Sequence, residues 1–496
     1  MTESVDTLYT RTRDETDNAY NSFGRRSSFV TILLQSGGPF LAEVVGASYA
    51  IMDTFWISKF LHEDGNAAMT FASLMDAICR AFGMFVCTAA SSKLAYLRGE
   101  NKYQDIPQVF ADLFKFSILL GLLAPAILLP VIKPLLNFFN MEGTIRANCK
   151  EYLTYSISGT IVTTLNLFLC GCLQAEGRSL MYGVNQMTSF ILNMAVFDPL
   201  MIGVLNLGMR GAAISTILSD GIPLIIFGIL FVFKRLDTKC SITNVFTFKC
   251  SPHTWEAIKV GFTQFISHVC FSLPSFFSRK WLEIGASKQS NPTTVLAALN
   301  PVMRFWYIPG SYAVALSIGI LPCLSYSLGR RDKKRVRSLF FTGLFMSITW
   351  CGVIEVLMFF FRRYYAKMFS KETEFLDITA KMLLITYICC TVMGVEMICA
   401  SFIQSMKYAL LATILSILTR FVPVPMFGAI FFYTNKARNI YVTLRMYPAA
   451  GVFSCFVGLL FVIYPFCRLS KIQDPQMSQP LLQEKEHNVG ENRYTE

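Results

Sequence analysis

Polar side chains that could bind a cation interrupt an otherwise apolar part of the chain. Asn193 and Asp198 lie in the largely hydrophobic run 180–205, where an ionised carboxylate is costly unless it has a partner. Pro199 follows Asp198, and a proline within a helix leaves backbone carbonyls without a donor. Together with the hydroxyl group of Thr216 on the next apolar run, these oxygens would suit H⁺ or Na⁺.

Acidic side chains also occur in the first two apolar runs. Asp53 lies in YAIMDTFW, about one to two helical turns inside the first run, so we interpret it as functional rather than interfacial. If Asp53 and Asp198 are held close together, their repulsion favours protonation of one of them. Asp76 and Arg80 are four residues apart, hence on one face of a helix, where they could neutralise each other.

The second half of the chain supplies further polar residues that could line a cavity. Each of them could contact a substrate, pair with another charge or lie at a helix end. These residues are His268, Glu283, Arg304, Glu355, Glu396, Gln404 and Arg420.

The composition indicates that membrane-spanning helices position these side chains. The chain has 496 residues, of which 53% are hydrophobic and 15% are charged, and its mean hydropathy is +0.47. This is too apolar for a soluble protein, and runs of about 20 apolar residues can each cross a bilayer as a helix. We predict an all-α polytopic membrane protein with twelve spans, at 29–60, 67–93, 107–136, 148–173, 179–205, 211–234, 257–285, 293–327, 337–361, 378–403, 408–433 and 439–467.

The net charge of +12 is distributed over loops rather than over one surface. Lys and Arg concentrate in alternate loops, most densely in RRDKKRVR at 330–337. By the positive-inside rule these loops are cytoplasmic, as are both termini. The charge therefore indicates membrane topology and not a nucleic-acid site. Asp474 with Leu481 and Leu482 resembles a dileucine sorting signal, which leaves both the plasma membrane and an endomembrane open.

Several features recur 230 residues apart and indicate an internal duplication. LAYLRGENKYQD at 94–105 is similar to LSYSLGRRDKKR at 324–335, Gln174 corresponds to Gln404, and Asp53 corresponds to Glu283. Six helices in each half would place a pseudo-two-fold axis along the membrane normal. The predicted order is a cytoplasmic tail 1–28, an N-lobe 29–234, a linker 235–256, a C-lobe 257–467 and a disordered tail 468–496.

The twelve helices in two halves, with the phrases MDTFW, LQAEG, LNxxxxDP and GMRGAAIST, resemble the multidrug and toxic compound extrusion (MATE) family over roughly 29–467, and most closely its DinF-type branch. The resemblance implies a cation-coupling site in the N-lobe. On the family pattern, Asp53, Asn193, Asp198 and Thr216 would form this site, and the first helix would bend at Pro39.

Two positions depart from the family pattern. Asn193 and Asp198 are five residues apart where the family commonly has four, which turns them by about 140° on a regular helix. A π-bulge ahead of Pro199 would bring them back onto one face. A NorM-like branch carries a glutamate in the seventh helix, where this chain has Ser267 and His268. A second cation site in the C-lobe would therefore lack its carboxylate. His268 could still titrate.

The resemblance implies a monomeric antiporter that exports organic compounds in exchange for H⁺ or Na⁺ and needs no cofactor. The walls of the expected substrate cavity are rich in Phe, Met and Tyr and would suit lipophilic cations. Such residues are also ordinary packing residues. A lipid-linked oligosaccharide flippase is the alternative, because Arg80, Arg304 and Arg420 could form a cationic cavity. A channel or an enzyme is less favoured, since duplication suggests alternating access and no HExxH or GxxxxGK[ST] motif occurs.

Overall fold

The structure is a computed structural model that describes residues 18–138, 141–233, 251–289, 291–435 and 439–471. Most of both predicted tails and of the linker, and the pair Leu481–Leu482, lie outside these residues. The helices in chain order are α1 Ser28–Gly99, α2 Ile106–Phe138, α3 Gly143–Ser158, α4 Thr160–Ala175, α5 Ser179–Leu192, the π-helices π1 Asn193–Phe197 and π2 Pro199–Val204, α6 Gly208–Val232, α7 Pro252–Ser272, α8 Pro274–Ala286, α9 Pro292–Arg304, α10 Tyr307–Gly329, α11 Lys333–Lys367, α12 Thr373–Tyr387, a 3₁₀ turn Cys390–Val392, α13 Val395–Ser405, α14 Ala409–Ser416, π3 Ile417–Phe421, α15 Pro423–Thr434, α16 Ile440–Thr443 and α17 Met446–Ser470.

Each of the twelve predicted spans is helical. Among the described residues, eight helices are long and apolar enough to cross a membrane, and ten if the bent pairs α3–α4 and α12–α13 each form one span. The other two predicted spans, 67–93 and 257–285, lie in α1 and in α7–α8. Residues 81–95 are all buried in protein, so polar side chains are tolerated there. Helix α7 begins at Pro252, earlier than the predicted start of the C-lobe.

The first two spans form a single helical run, α1, which reverses its direction. Asp53 lies within electrostatic range of Asp76, although a straight helix would separate these residues by about 35 Å. The run therefore folds back between them, and the two arms of α1 can both contribute to one site.

The halves meet in a reciprocal contact that reflects the duplication. Gly99 packs on the carbonyl of Tyr326, and a Cβ added to Gly99 would lie 2.1 Å from that oxygen. Gly329 packs on the carbonyl of Tyr96, and a Cβ added to Gly329 would lie 2.2 Å from it. Both pairs of equivalent residues are 230 positions apart. Reciprocal contacts of this kind are characteristic of a two-fold axis, and the axis passes between these two helix ends.

Both ends of the described chain lie at one end of the bundle, which we call the terminal face. Arg335 donates hydrogen bonds to the Phe23 carbonyl at 3.0 Å and the Thr31 hydroxyl at 2.8 Å, and Lys333 donates to the Ser470 carbonyl at 3.4 Å. These contacts bring the start of α1, the start of α11 and the end of α17 together.

Three charged residues join the lobes near the terminal face. Lys93 of the N-lobe contacts Oε2 of Glu256 at 2.7 Å, and Lys407 of the C-lobe contacts the same oxygen at 2.9 Å. Both ammonium groups also lie over the ring of Tyr96, at 5.2 and 3.8 Å from its centroid. We call Lys93, Glu256 and Lys407 the ionic latch, because they hold the lobes together at this end.

Candidate functional site

The π-helix π1 brings Asn193 and Asp198 together despite their five-residue spacing. The N–H of Asp198 donates to the carbonyl of Asn193, which is the π-type bond. With the amide oriented to match its neighbours, Asn193 Nδ2 donates to the Asp198 carboxylate oxygens at 2.7 and 3.0 Å, and Oδ1 accepts from the N–H of Thr216 at 3.1 Å. The reverse orientation would set the amide oxygen against the carboxylate. The predicted π-bulge is therefore present.

Two buried carboxyl groups of the N-lobe lie within electrostatic range of each other. Asp198 is fully buried, and the hydroxyl of Ser215 on α6 donates to its Oδ1 at 2.5 Å. Asp53 on α1 is 7% exposed and lies within electrostatic range of Asp198. Asp53 accepts no hydrogen bond from any residue that the structure describes. Among the described residues, donors therefore hold only one of the two carboxylates, and a bound cation would offset the repulsion between them.

Trp56 fixes α1 beside this site. Pro199 has no N–H, so the carbonyl of Met194, five residues earlier, has no π-helical donor. The indole N–H of Trp56 donates to this carbonyl at 3.0 Å. The prediction that Pro199 frees a carbonyl for a cation is therefore wrong for this oxygen, which serves instead to position the helix that carries Asp53.

Two other acids of the N-lobe are fully engaged by hydroxyl groups. Asp76 accepts from Tyr152 at 2.7 Å and from Ser156 at 2.5 Å. Asp220 accepts from Thr163 at 2.7 Å and also from Ser189. The interpretation that Asp76 and Arg80 neutralise each other is wrong, because donors from α3 satisfy the carboxylate.

The sequence interpretation missed several residues around the site. Tyr49 lies beside Thr216 and within electrostatic range of Asp53 and Asp198, one turn before Asp53 on α1. Ser215 precedes Thr216 directly, and its polar side chain in an apolar run was a signal of the same kind as Thr216. Tyr49 carried no such signal, because aromatic residues are common throughout the spans.

The C-lobe has an equivalent π-helix but a different charge pattern. Arg420 on π3 donates from Nε to the two carboxylate oxygens of Glu396 at 3.2 and 3.3 Å. The hydroxyl of Thr419 donates to the same carboxylate at 3.2 Å. A guanidinium group of the chain thus occupies the place beside Glu396 where a cation would bind.

The remaining C-lobe candidates lie in different surroundings. Gln404 donates to Oε1 of Gln264 at 3.1 Å, and Gln264 lies 3.2 Å from Nε2 of His268. Glu283, the counterpart of Asp53, is exposed and pairs with Arg279 at 3.1 Å. The duplication therefore does not extend to a second buried acid at that position.

Three other predicted residues have defined positions. Arg304 is exposed at the end of α9, and Glu355 accepts from the N–H and hydroxyl of Thr391 at 2.8 and 2.6 Å. Pro39 lies within the continuous helix α1. Its neighbour Gly38 packs so closely on the Ser179 carbonyl that an added Cβ would lie 1.8 Å away. The role of Pro39 as a hinge stays a prediction.

The oxygen ligands of the N-lobe site would suit either coupling ion. No group of three His, Cys, Asp or Glu side chains among the described residues is arranged to hold a metal ion. The N-lobe site instead offers carboxylate, amide and hydroxyl oxygens, which are the ligands that hard cations prefer. Its carboxylates could equally take up a proton.

Comparison with known proteins places this geometry in a family. A sequence model of the MatE family matches residues 40–199 and 286–430, more than half of the chain. The chain is 21% identical over 305 residues to the multidrug export protein MepA of Staphylococcus haemolyticus, which covers 62% of this chain and 66% of the relative. It is 25% identical over 275 residues to the probable multidrug resistance protein NorM of Thermotoga maritima, covering 53% and 55%. The matches thus span less than two thirds of the length of these curated relatives.

Solved structures share the fold over nearly the whole chain. A multidrug resistance MATE family transporter of the MOP superfamily, in an outward-facing conformation, aligns with a TM-score of 0.80 at 18% identity, over 90% of this chain and 98% of the other. A MOP superfamily transporter from Pyrococcus furiosus aligns with a TM-score of 0.79 at 19% identity, over 90% and 97%. The predicted all-α fold with twelve spans in two lobes is confirmed.

Proposed function

The chain belongs to the MatE family, and on that premise we propose that it is a secondary active exporter of small organic compounds. We propose H⁺ or Na⁺ as the driving ion, bound by Asp53, Asn193, Asp198 and Thr216. The observation that supports this proposal is the convergence of Asn193 on Asp198 through π1, within electrostatic range of the buried carboxyl group of Asp53.

The cation would act by removing the repulsion between two buried carboxylates. With the site empty, Asp53 and Asp198 repel each other, which disfavours their close approach. A bound proton or Na⁺ would allow α1 to move closer to π1. The hydrogen bond from Trp56 to the Met194 carbonyl would hold α1 at one point, so movement of Asp53 would bend α1 about that point.

The names of the relatives support multidrug export rather than lipid flipping. The matched MepA and NorM proteins are described as a multidrug export protein and a probable multidrug resistance protein. The flippase alternative is not favoured by these matches. We further propose that the protein is a monomer with both termini in the cytoplasm, in the plasma membrane or an endomembrane, and that it lies closest to the DinF-type branch.

Transport into liposomes tests the proposal. Purified protein would be reconstituted, H⁺ and Na⁺ gradients would be imposed separately, and uptake of fluorescent organic dyes would be measured. We expect one gradient to drive uptake, and expect Asp53→Asn and Asp198→Asn to abolish the driven component. Asp377→Asn, which changes an exposed aspartate that pairs with Arg363, is the matched control and should transport normally. Dye uptake that neither gradient stimulates would refute the proposal.

A further inference from the structure

His268 of the C-lobe lies within electrostatic range of an arginine from each lobe. Phe82 and Phe85 on α1 pack on Phe265 and Phe262 of α7, with ring centroids 4.8 and 6.2 Å apart. The two helices therefore run antiparallel. This register places Arg80 of the N-lobe at the same level of the bundle as His268 of the C-lobe, and the two side chains are within electrostatic range of each other.

His268 lies between two guanidinium groups that belong to different lobes. Arg80 and Arg420 are both within electrostatic range of its imidazole ring. Arg420 is already paired with Glu396, so its charge is compensated within the C-lobe. Arg80, in contrast, makes no ion pair with any residue that the structure describes.

Arg80 has no carboxylate at ion-pair distance among the described residues. Its Nη2 donates to the neutral Oε1 of Gln186 at 3.2 Å, and its guanidinium lies over the ring of Phe190, 5.7 Å from the centroid. Glu43 is within electrostatic range but makes no ion pair with Arg80. A guanidinium has five N–H donors, and an uncompensated charge at this depth in a membrane protein is costly.

His268 adds a donor from the opposite lobe. Gln404 donates to Oε1 of Gln264, which fixes the Gln264 amide so that its NH₂ group faces His268 Nε2 at 3.2 Å. Since an amide nitrogen only donates, Nε2 must accept, and the neutral imidazole carries its proton on Nδ1. His268 thus contributes an Nδ1–H donor on a ring that is within electrostatic range of Arg80.

We propose that Arg80 and His268 together bind an acidic group of the transported compound, so that one carboxylate, sulfonate or phosphate group bridges the two lobes. This inference rests on the proposed function and names its substrate class. The stacked rings of Tyr49 and Phe190, whose centroids are 5.5 Å apart, lie next to Arg80 and would pack on an aromatic body that carries the acid. The expectation of lipophilic cations from composition is the competing alternative.

A pair of dyes that differ in one group provides the test. A rhodamine with a free benzoate and the methyl ester of the same dye share size and aromatic body and differ only in the acid. Their affinities for the purified full-length protein in detergent would be measured by fluorescence anisotropy. A charge-assisted hydrogen bond predicts that the free acid binds about tenfold or more tightly than the ester.

Variants of Arg80 assign the preference to this site. In Arg80→Gln the free acid should bind about as weakly as the ester, while the affinity of the ester stays within about twofold of wild type. Arg80→Lys should keep part of the preference for the free acid, because lysine keeps the positive charge but lacks the planar guanidinium group with its paired N–H donors. Arg210→Gln removes an exposed arginine from the start of α6 and should keep the full preference.

Three results would overturn the inference. They are a wild-type protein that binds the ester as tightly as the acid, a wild-type protein that binds neither dye, and a preference that survives in Arg80→Gln. A fourth result, competition by undecaprenyl phosphate in the micelles, would show that the acidic group belongs to a lipid and would overturn its assignment to an exported small compound. These binding results are independent of ion-driven uptake, so failure of the proposed antiport would be seen separately.

Discussion

At the scale of single residues, Asn193 connects the elements of the cation site. Its amide links the Asp198 carboxylate on one side to the backbone of Thr216 on the other. A residue with both a donor and an acceptor is needed there, since a carboxylate on one side and an N–H on the other must both be satisfied. Buried polar groups without a partner are costly, so the amide also supports the local packing.

Replacing Asn193 by Leu should weaken cation binding while keeping the branched shape of the side chain. Asp198 would lose the Nδ2 donor that stabilises its charged form, and we expect the affinity for the coupling ion to fall about tenfold or more. Isothermal titration of the purified protein with Na⁺, or measurement of proton release, would detect this loss. Asn137→Leu, at an exposed asparagine, is the control. Unchanged ion affinity in Asn193→Leu would remove the amide from the site.

Local spacing rules predicted only part of the residue-level picture. The five-residue spacing, compared with the spacing of four in the family pattern, indicated that a π-bulge ahead of Pro199 would be needed for Asn193 and Asp198 to converge, and π1 is present. The spacing of Asp76 and Arg80 was misleading, because hydroxyl groups of Tyr152 and Ser156 on another helix satisfy Asp76. Partners that come from a different span leave no mark in the local pattern.

At the scale of elements, the fold joins α1 to π1 through one backbone carbonyl. The absence of an N–H at Pro199 leaves the Met194 carbonyl for the Trp56 indole. Trp56 in the motif MDTFW and Pro199 in the motif DP can both be seen in the sequence. That they act together depends on the packing of two spans that are far apart in the chain. The twelve helices themselves could be predicted, because apolar length is a local property.

Replacing Trp56 by Phe should loosen this connection. The Met194 carbonyl would lose its donor inside the protein, at a cost of about 1–2 kcal/mol. We expect a lower midpoint of thermal unfolding in detergent and weaker coupling between the ion gradient and transport. Trp255→Phe changes a tryptophan that is 63% exposed and should leave both quantities unchanged. Equal thermal midpoints for Trp56→Phe and wild type would show that the hydrogen bond does not hold the helices together.

At the scale of the whole molecule, the two lobes are held together near the terminal face. The reciprocal packing of Gly99 and Gly329 and the ionic latch Lys93–Glu256–Lys407 all lie at this end. Alternating access requires these contacts to separate when the protein opens to this side. The duplication could be predicted from sequence, whereas the latch could not, because its three residues are more than 150 positions apart in the chain.

Replacing Glu256 by Gln should favour separation of the lobes at the terminal face. The two ammonium groups of the latch would lose their shared carboxylate and repel each other. We expect faster hydrogen exchange of the buried segment 81–95 in Glu256→Gln, measured by mass spectrometry on the full-length protein. Glu372→Gln, at an exposed helix start, is the control. Identical exchange of this segment in Glu256→Gln and wild type would contradict the role of the latch.

The central claim is that the acids of the N-lobe bind the ion that drives transport. Its most direct test is ion binding by the purified protein, with Na⁺ and H⁺ titrated separately into wild type, Asp53→Asn and Asp198→Asn. We predict about one ion bound per wild-type chain, and loss of that ion in each variant while the protein stays folded and monodisperse. Wild-type ion binding by both variants would contradict the claim.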